Sequence, residues 1–153
     1  MANTYSQIFI QVVFAVNGRD NLISQHFRNE LEKYITGIVS NRKQKLLSIF
    51  CMPDHVHILL SLSPDIKLSD LIRDIKTGST KHINDMMWVR GKFSWQNGYG
   101  AFSYSKSQID IVVKYILNQE LHHKKLTFKE EYIEFLKKYC VDYNEDYLFE
   151  FYN

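Results

Sequence analysis

A chain of 153 residues, 45% apolar and 24% charged, is long enough to bury a core of its own and reads as one globular domain, residues 1–153. No apolar run approaches the roughly 20 residues of a membrane helix, the start Met1-Ala2-Asn3-Thr4-Tyr5 lacks the pattern of a signal peptide, and two distant cysteines, Cys51 and Cys140, do not make a disulfide framework, so a reducing cytoplasm is the expected setting. The net charge of +2 is unevenly spread: residues 128–153 hold three Lys against seven Asp or Glu, leaving 16 basic and 10 acidic groups on the rest. A basic body with an acidic tail permits a nucleic-acid partner without requiring one.

From Tyr5 to Val16 apolar residues recur at period two, with Ile8, Ile10, Val12, Phe14 and Val16 on one face and Phe9 and Val13 on the other. This pattern predicts a central strand covered on both sides. Asn17-Gly18-Arg19-Asp20-Asn21 is a turn. Ser24 is placed to cap a first helix, in which Phe27, Leu31, Tyr34, Ile35, Ile38 and Val39 form one apolar face. The helix fades at Ser40-Asn41. Leu46 to Phe50 is a second strand, joined by a short link to a third.

That third strand carries the most chemistry. In Cys51-Met52-Pro53-Asp54-His55-Val56-His57-Ile58-Leu59-Leu60-Ser61-Leu62, the apolar Val56, Ile58, Leu60 and Leu62 alternate with other residues. His55 and His57 fall on the opposite face, about 7 Å apart along the backbone. Two imidazoles so placed can converge on one metal ion, or serve simply as hydrogen-bonded residues of a strand face.

Leu68, Leu71, Ile72 and Ile75 open a second helix, and its later part, Lys76 to His82, is polar, basic and interrupted by Gly78. Residues 67–92 hold six Lys or Arg against three Asp. This is either a solvated face or a phosphate-contacting one, with Arg73, Lys76, Ser79, Thr80 and Lys81 as the candidate contacts. Met86-Met87-Trp88 reads as core. Phe93 to Tyr104 is a turn-rich strand region in which Gly98 and Gly100 suggest a bulge or a close backbone approach. Trp95 and Tyr99 there offer faces for stacking on unpaired bases, set against core burial for Trp95.

A third helix starts near Ser107, with an apolar stripe at Ile109, Val112, Val113 and Ile116. Tyr115 and Gln119, at i and i+4, lie together on the edge of that stripe. His122-His123-Lys124-Lys125 ends the helix, where positive charge suits the macrodipole. Phe128 to Leu136 is a further amphipathic helix, and the Tyr-rich acidic end drapes over the surface. The order β-α-β-β-α-β-α predicts an α+β fold: a ferredoxin-like antiparallel sheet with helices packed on it.

Met52-Pro53-Asp54-His55-Val56-His57, Trp95-Gln96-Asn97-Gly98-Tyr99, and Tyr115-Ile116-Leu117-Asn118-Gln119 followed by His122-His123 together resemble the single-tyrosine HUH transposases. These are the insertion-sequence-200-like group, which includes the transposases associated with repetitive extragenic palindromes. The resemblance runs over most of the chain. It implies the HUH nuclease fold, with His55, His57 and Gln119 as ligands of Mg²⁺ or Mn²⁺ and Tyr115 as nucleophile. It implies single-stranded DNA with hairpin ends as substrate, cleaved and rejoined through a 5′-phosphotyrosine by a homodimer in the cytoplasm, at the nucleoid. Whether the tyrosine helix completes its own site or its partner's stays open. Tyr99, Tyr104 and Tyr132 are other tyrosines within reach of such a site, but Tyr115 is the one paired with a Gln at i+4 on the third helix.

A DNA-hairpin-binding protein or repressor of the same fold that does not cut is the alternative. Histidine-triad hydrolases need a third alternating His where this chain has Leu59, and two-motif esterases need a His-x-Ser or His-x-Thr element that is absent here.

Overall fold

The early alternation becomes strand β1 (Phe9–Ala15) in a computed structural model that describes residues 3–19 and 22–152. Asp20 and Asn21 of the expected turn lie outside the described residues, as do Met1 and Ala2 of the start. β2 (Lys45–Cys51), β3 (His55–Ser61) and β4 (Gly100–Tyr104) complete a four-stranded sheet in the order β2-β3-β1-β4, every neighbouring pair antiparallel. Helix α1 (Gln25–Asn41) follows β1 and α2 (Leu68–Asp85) follows β3. This is the expected ferredoxin-like α+β arrangement.

β1 and β3 lie at the centre and are buried on both faces, as the continuous apolar character of β1 predicts. Val12, Phe14, Val56, Ile58 and Leu60 face α1 and α2, packing with Phe27, Leu31, Ile35, Leu71, Ile72 and Ile75. The register sets Val13 opposite His57 and Ala15 opposite His55, so both imidazoles project from the other face. Ser24 caps α1 by accepting from the His26 amide. Gly78 does not interrupt α2. It marks the point where α2 meets α1, because a Cβ there would lie 2.8 Å from Ile38 Cδ1.

On the imidazole face, α3 (Ile109–Leu117) sets Ile109, Val112 and Ile116 against Phe9 and Leu59. A 3-10 turn, Lys106–Gln108, leads into it with a capping box between Ser105 and Gln108. The helix breaks at Asn118 (φ −100°, ψ 21°) and resumes as a single turn, α4 (Gln119–His122). Tyr115 and Gln119 therefore stand on either side of a break rather than on one continuous helix. α5 (Phe128–Lys138) starts with a second capping box, Thr127 with Glu130, and crosses β4 closely: a Cβ on Gly100 would lie 2.7 Å from Tyr132 Oη. The C-terminal segment is held more firmly than a draped tail. Phe149 is buried against Phe128 and Tyr132, and Gln96 hydrogen-bonds both the N–H and the C=O of Glu150. Among the described residues, no helix is long and apolar enough to cross a membrane.

The tight seat of α5 on β4 is testable. Gly100→Val is expected to cost about 1–3 kcal/mol by overpacking against the Tyr132 ring, read as a lower urea midpoint at unchanged slope.

Candidate active site

β3 delivers His55 and His57 fully buried, and each ring is fixed by a bond at Nδ1. His55 Nδ1 lies 2.7 Å from Asp54 Oδ1. His57 Nδ1 lies 2.7 Å from Oε1 of Gln11, whose amide nitrogen donates to Tyr104 Oη at 2.7 Å. The Gln11 oxygen is thus left as the acceptor, and His57 carries its hydrogen at Nδ1. Both Nε2 atoms turn toward Glu131 on α5, whose Oε1 is 3.0 Å from His57 and 3.5 Å from His55. The other carboxylate oxygen, Oε2, accepts from the Tyr115 hydroxyl and from Gln119 Nε2 at 3.1 Å. Gln119 Oε1 lies 3.4 Å from His55 Nε2. His123, after α4, sets its Nε2 2.9 Å from Gln119 Oε1 and 3.2 Å from Glu131 Oε1. The His122 ring stacks on the Tyr115 ring at 4.2 Å between centroids, and Phe128 stacks on His55 at 3.8 Å. The expected pair, the tyrosine and the glutamine therefore meet within one chain, around a carboxylate.

Glu131 is 1% exposed. Burial alone would raise its pKa, but the charges and hydrogen bonds of His57, His123 and His55 hold it well below the usual carboxylate range. Burial, and then the Glu131 charge, push the Tyr115 phenol above its ordinary value. The imidazoles are driven apart. Burial opposes charge on His55, yet its bonds to Asp54 and Glu131 prevail and raise it to about 9. For His57 burial prevails and its pKa falls. A neutral His57 with its hydrogen at Nδ1 points a lone pair at a carboxylate oxygen, a contact that a cation between the two atoms turns from repulsive to attractive. The donor atoms of His55, His57 and Glu131 all lie within 4.8 Å of one another, and this group can hold a divalent metal.

A family model described as Transposase IS200 like matches residues 4–119. The chain belongs to the IS200-like transposase family. A curated relative, the ISDra2 transposase TnpA of Deinococcus radiodurans, is 22% identical over 120 residues, spanning 74% of this chain and 84% of that protein. Two solved structures share the fold. One is a crystal structure of an assigned transposase from Deinococcus radiodurans, with a TM-score of 0.58 and 21% identity over 76% of this chain and 94% of that one. The other is a REP-associated tyrosine transposase bound to a REP hairpin, with a TM-score of 0.58 and 18% identity over 79% of this chain and 72% of that one.

In this IS200-like chain several residues expected to touch DNA do other things. Ser79 is a correction, and Trp95 takes its core reading rather than the base-stacking one: both are buried, Trp95 Nε1 donates to Ser79 Oγ at 2.9 Å, and Ser79 bonds back to the Ile75 carbonyl. Lys76 Nζ is turned inward, donating to the carbonyls of Gln96 and Gly98 at 2.9 and 2.7 Å, and burial lowers its pKa to about 8. Arg73 and Lys81 are exposed and lie in ion pairs with Asp70, Asp74 and Asp85. Thr80 and Tyr99 are half-buried. α2 packs on the sheet face opposite the imidazoles, so its residues do not form the site. Tyr104 acts through Gln11, and Tyr132 lies over Gly100. Among the described residues Tyr115 is the tyrosine whose hydroxyl bonds Glu131.

Glu131 and Gln11 were not singled out from the sequence. Glu131 had a readable signal: it falls on the apolar stripe Phe128, Tyr132, Phe135, Leu136 of an otherwise amphipathic helix. Gln11 had less, a polar residue within a strand that is otherwise apolar on both faces. A cavity of about 190 Å³ opens beside Tyr115 and Glu131, between Gln11, Tyr104, Glu134 and Lys138. Because Gln11 fixes the ring of His57, Gln11→Leu is expected to weaken divalent-metal binding by about 10–100-fold while leaving the fold intact, as measured by calorimetric titration alongside circular dichroism.

Proposed function

We propose that this chain is a transposase that cuts and rejoins single-stranded DNA, with Tyr115 as the nucleophile. His55, His57 and Glu131 are its metal ligands, and Gln119 presents its amide oxygen beside His55. One observation carries the reading: the Tyr115 hydroxyl bonds the carboxylate that also meets His57 Nε2, all in one chain. A phenol on an unrelated surface would have no reason to meet a buried ionised group.

The residues imply a balanced transfer. The Tyr115 oxygen attacks the phosphorus, forming an O–P bond as the P–O3′ bond breaks. The phenolic proton passes to Glu131 Oε2, its hydrogen-bond acceptor, and the departing 3′ oxygen takes up one proton to become a free hydroxyl. The 5′-phosphate stays on Tyr115, and reversal by a 3′-hydroxyl rejoins the strand without a nucleoside triphosphate. His122 stacked on the Tyr115 ring and α3 seated on the sheet limit the phenol's freedom, which raises the effective concentration of the attacking oxygen. A bound divalent ion, Mg²⁺ or Mn²⁺, would neutralise charge on the scissile phosphate and offset the Glu131 charge that keeps the phenol protonated at rest.

A hairpin-containing single strand is the proposed partner, supported by the likeness to a hairpin-bound relative. A homodimer, as the family resemblance implies, would bring together two complete sites rather than build shared ones.

Incubation with labelled single-stranded DNA from the gene's flanks and Mn²⁺ is expected to give a protein–DNA adduct that survives a denaturing gel. Tyr115→Phe should abolish the adduct and keep hairpin binding. Glu131→Gln should slow its formation about 100-fold or more. An adduct that persists in Tyr115→Phe moves the nucleophile elsewhere, and no adduct in any condition leaves a hairpin-binding protein.

A further inference from the structure

His123 is unused by that reading, although it touches two members of the site. We infer that His123 is a third imidazole ligand, making the centre a three-histidine, one-carboxylate site that prefers a first-row transition ion to Mg²⁺. This rests on the metal-site reading above.

The three histidines share one arrangement. Each Nδ1 meets an oxygen on the outside: Asp54 Oδ1 at 2.7 Å for His55, Gln11 Oε1 at 2.7 Å for His57, and the Leu126 carbonyl at 2.9 Å for His123. Each Nε2 points inward at the same atom, Glu131 Oε1, at 3.5, 3.0 and 3.2 Å respectively. Metal-bound imidazoles are held in this way, with the distal N–H given to a carboxylate or carbonyl so that the other nitrogen offers its lone pair. For His123 the tautomer follows from its partner. A backbone carbonyl only accepts, so the hydrogen sits on Nδ1. Its Nε2 then faces two oxygens, Glu131 Oε1 and Gln119 Oε1. The Gln119 oxygen is fixed there because its nitrogen donates to Glu131 Oε2. Each of these three Nε2–Oε1 separations suits two donors on one ion with bonds of about 2.1 Å.

The neighbouring His122 shows the contrast. Its ring lies on Tyr115, and its buried Nε2 has no hydrogen-bond partner among the described residues. Adjacent residues thus divide two tasks, one orienting the nucleophile and the other facing the ligand set. Three nitrogen donors disfavour Mg²⁺, which demands oxygen ligands and gives up water reluctantly, and suit the transition ions.

The test uses the full chain, stripped of metal and labelled with ¹⁵N-histidine. Titration with Mn²⁺ alone, followed by pulsed electron paramagnetic resonance, counts coupled imidazoles. Three couplings are expected in the wild type and two in His123→Ala, with Mn²⁺ binding weakened at least tenfold in that variant and Mg²⁺ displacing Mn²⁺ only in large excess. Two couplings in the wild type, or displacement by equimolar Mg²⁺, overturns the inference, and the coupling count needs no variant to fold. His57→Ala separates the two levels. If it abolishes binding while His123→Ala changes nothing, only the role of His123 falls. If neither variant alters binding, the metal-site reading falls with it.

Discussion

A carboxylate almost wholly withdrawn from water is the constraint on which this site depends. Removing such an ion from solvent costs several kcal/mol even after the protein relaxes. Glu131 is held ionised by what surrounds it: the His55 imidazole, whose pKa is raised, at one oxygen, and a phenol and an amide at the other. Its partners come from β3, α3, α4 and the loop after it, so one side chain on α5 ties together several separate segments. The same charge sets the chemistry. It opposes ionisation of the Tyr115 phenol at rest, and it offers a cation an anionic ligand beside two imidazoles. A neutral side chain of similar size would do neither.

The sheet makes this arrangement possible by using β3 twice. Its even-numbered residues, Val56, Ile58 and Leu60, belong to the core shared with α1 and α2, while His55 and His57 occupy the face covered by α3 and α5. A one-residue slip of β3 against β1 would exchange these sets and drive two imidazoles into the helix-packed core. Burial of the aliphatic set on one side is therefore what fixes the ligands on the other. β1 adds the matching device: Gln11 shares the face of His57 and reaches its Nδ1, and that bond is secured in turn by Tyr104 on β4.

What the sequence displays is periodicity, and where periodicity carries the structure it reads well. The strand with its two histidines, the central β1, the capped α1 and the ferredoxin-like order all follow from period-two and period-3.6 patterns. Ser79 misled because its hydroxyl and the Trp95 indole satisfy each other inside the core, which pattern alone cannot distinguish from a DNA-facing surface. Lys76 misled for a similar reason, its ammonium closing two loop carbonyls. Tyr115 and Gln119 were legible as neighbours, but the break at Asn118 was not, since nothing in Leu117-Asn118-Gln119 demands it. Glu131 stood on an apolar helix face, and its significance depended on what lies opposite, which is tertiary information.

The family match ends at residue 119, and yet the site does not. Glu131 and His123 lie beyond it, and so does Phe128, which stacks on His55 with ring planes 2° apart. Phe128 is itself covered by Phe149 and Phe151, and the strand of chain that carries them is clasped by Gln96, within the Trp95-Gln96-Asn97-Gly98-Tyr99 segment. By pattern alone, Trp95 and Tyr99 of that segment offer faces for base stacking. In the fold it is a fastener: Trp95 locks it to α2, and Gln96 joins the end of β1 to the C-terminal segment through the Val16 and Glu150 carbonyls. The His55 ring is thus braced, through Phe128, by residues almost a hundred positions later. The geometry of the early strand and the order of the late segment are consequently one property of the molecule, because loosening the second removes the surface that holds the first in place.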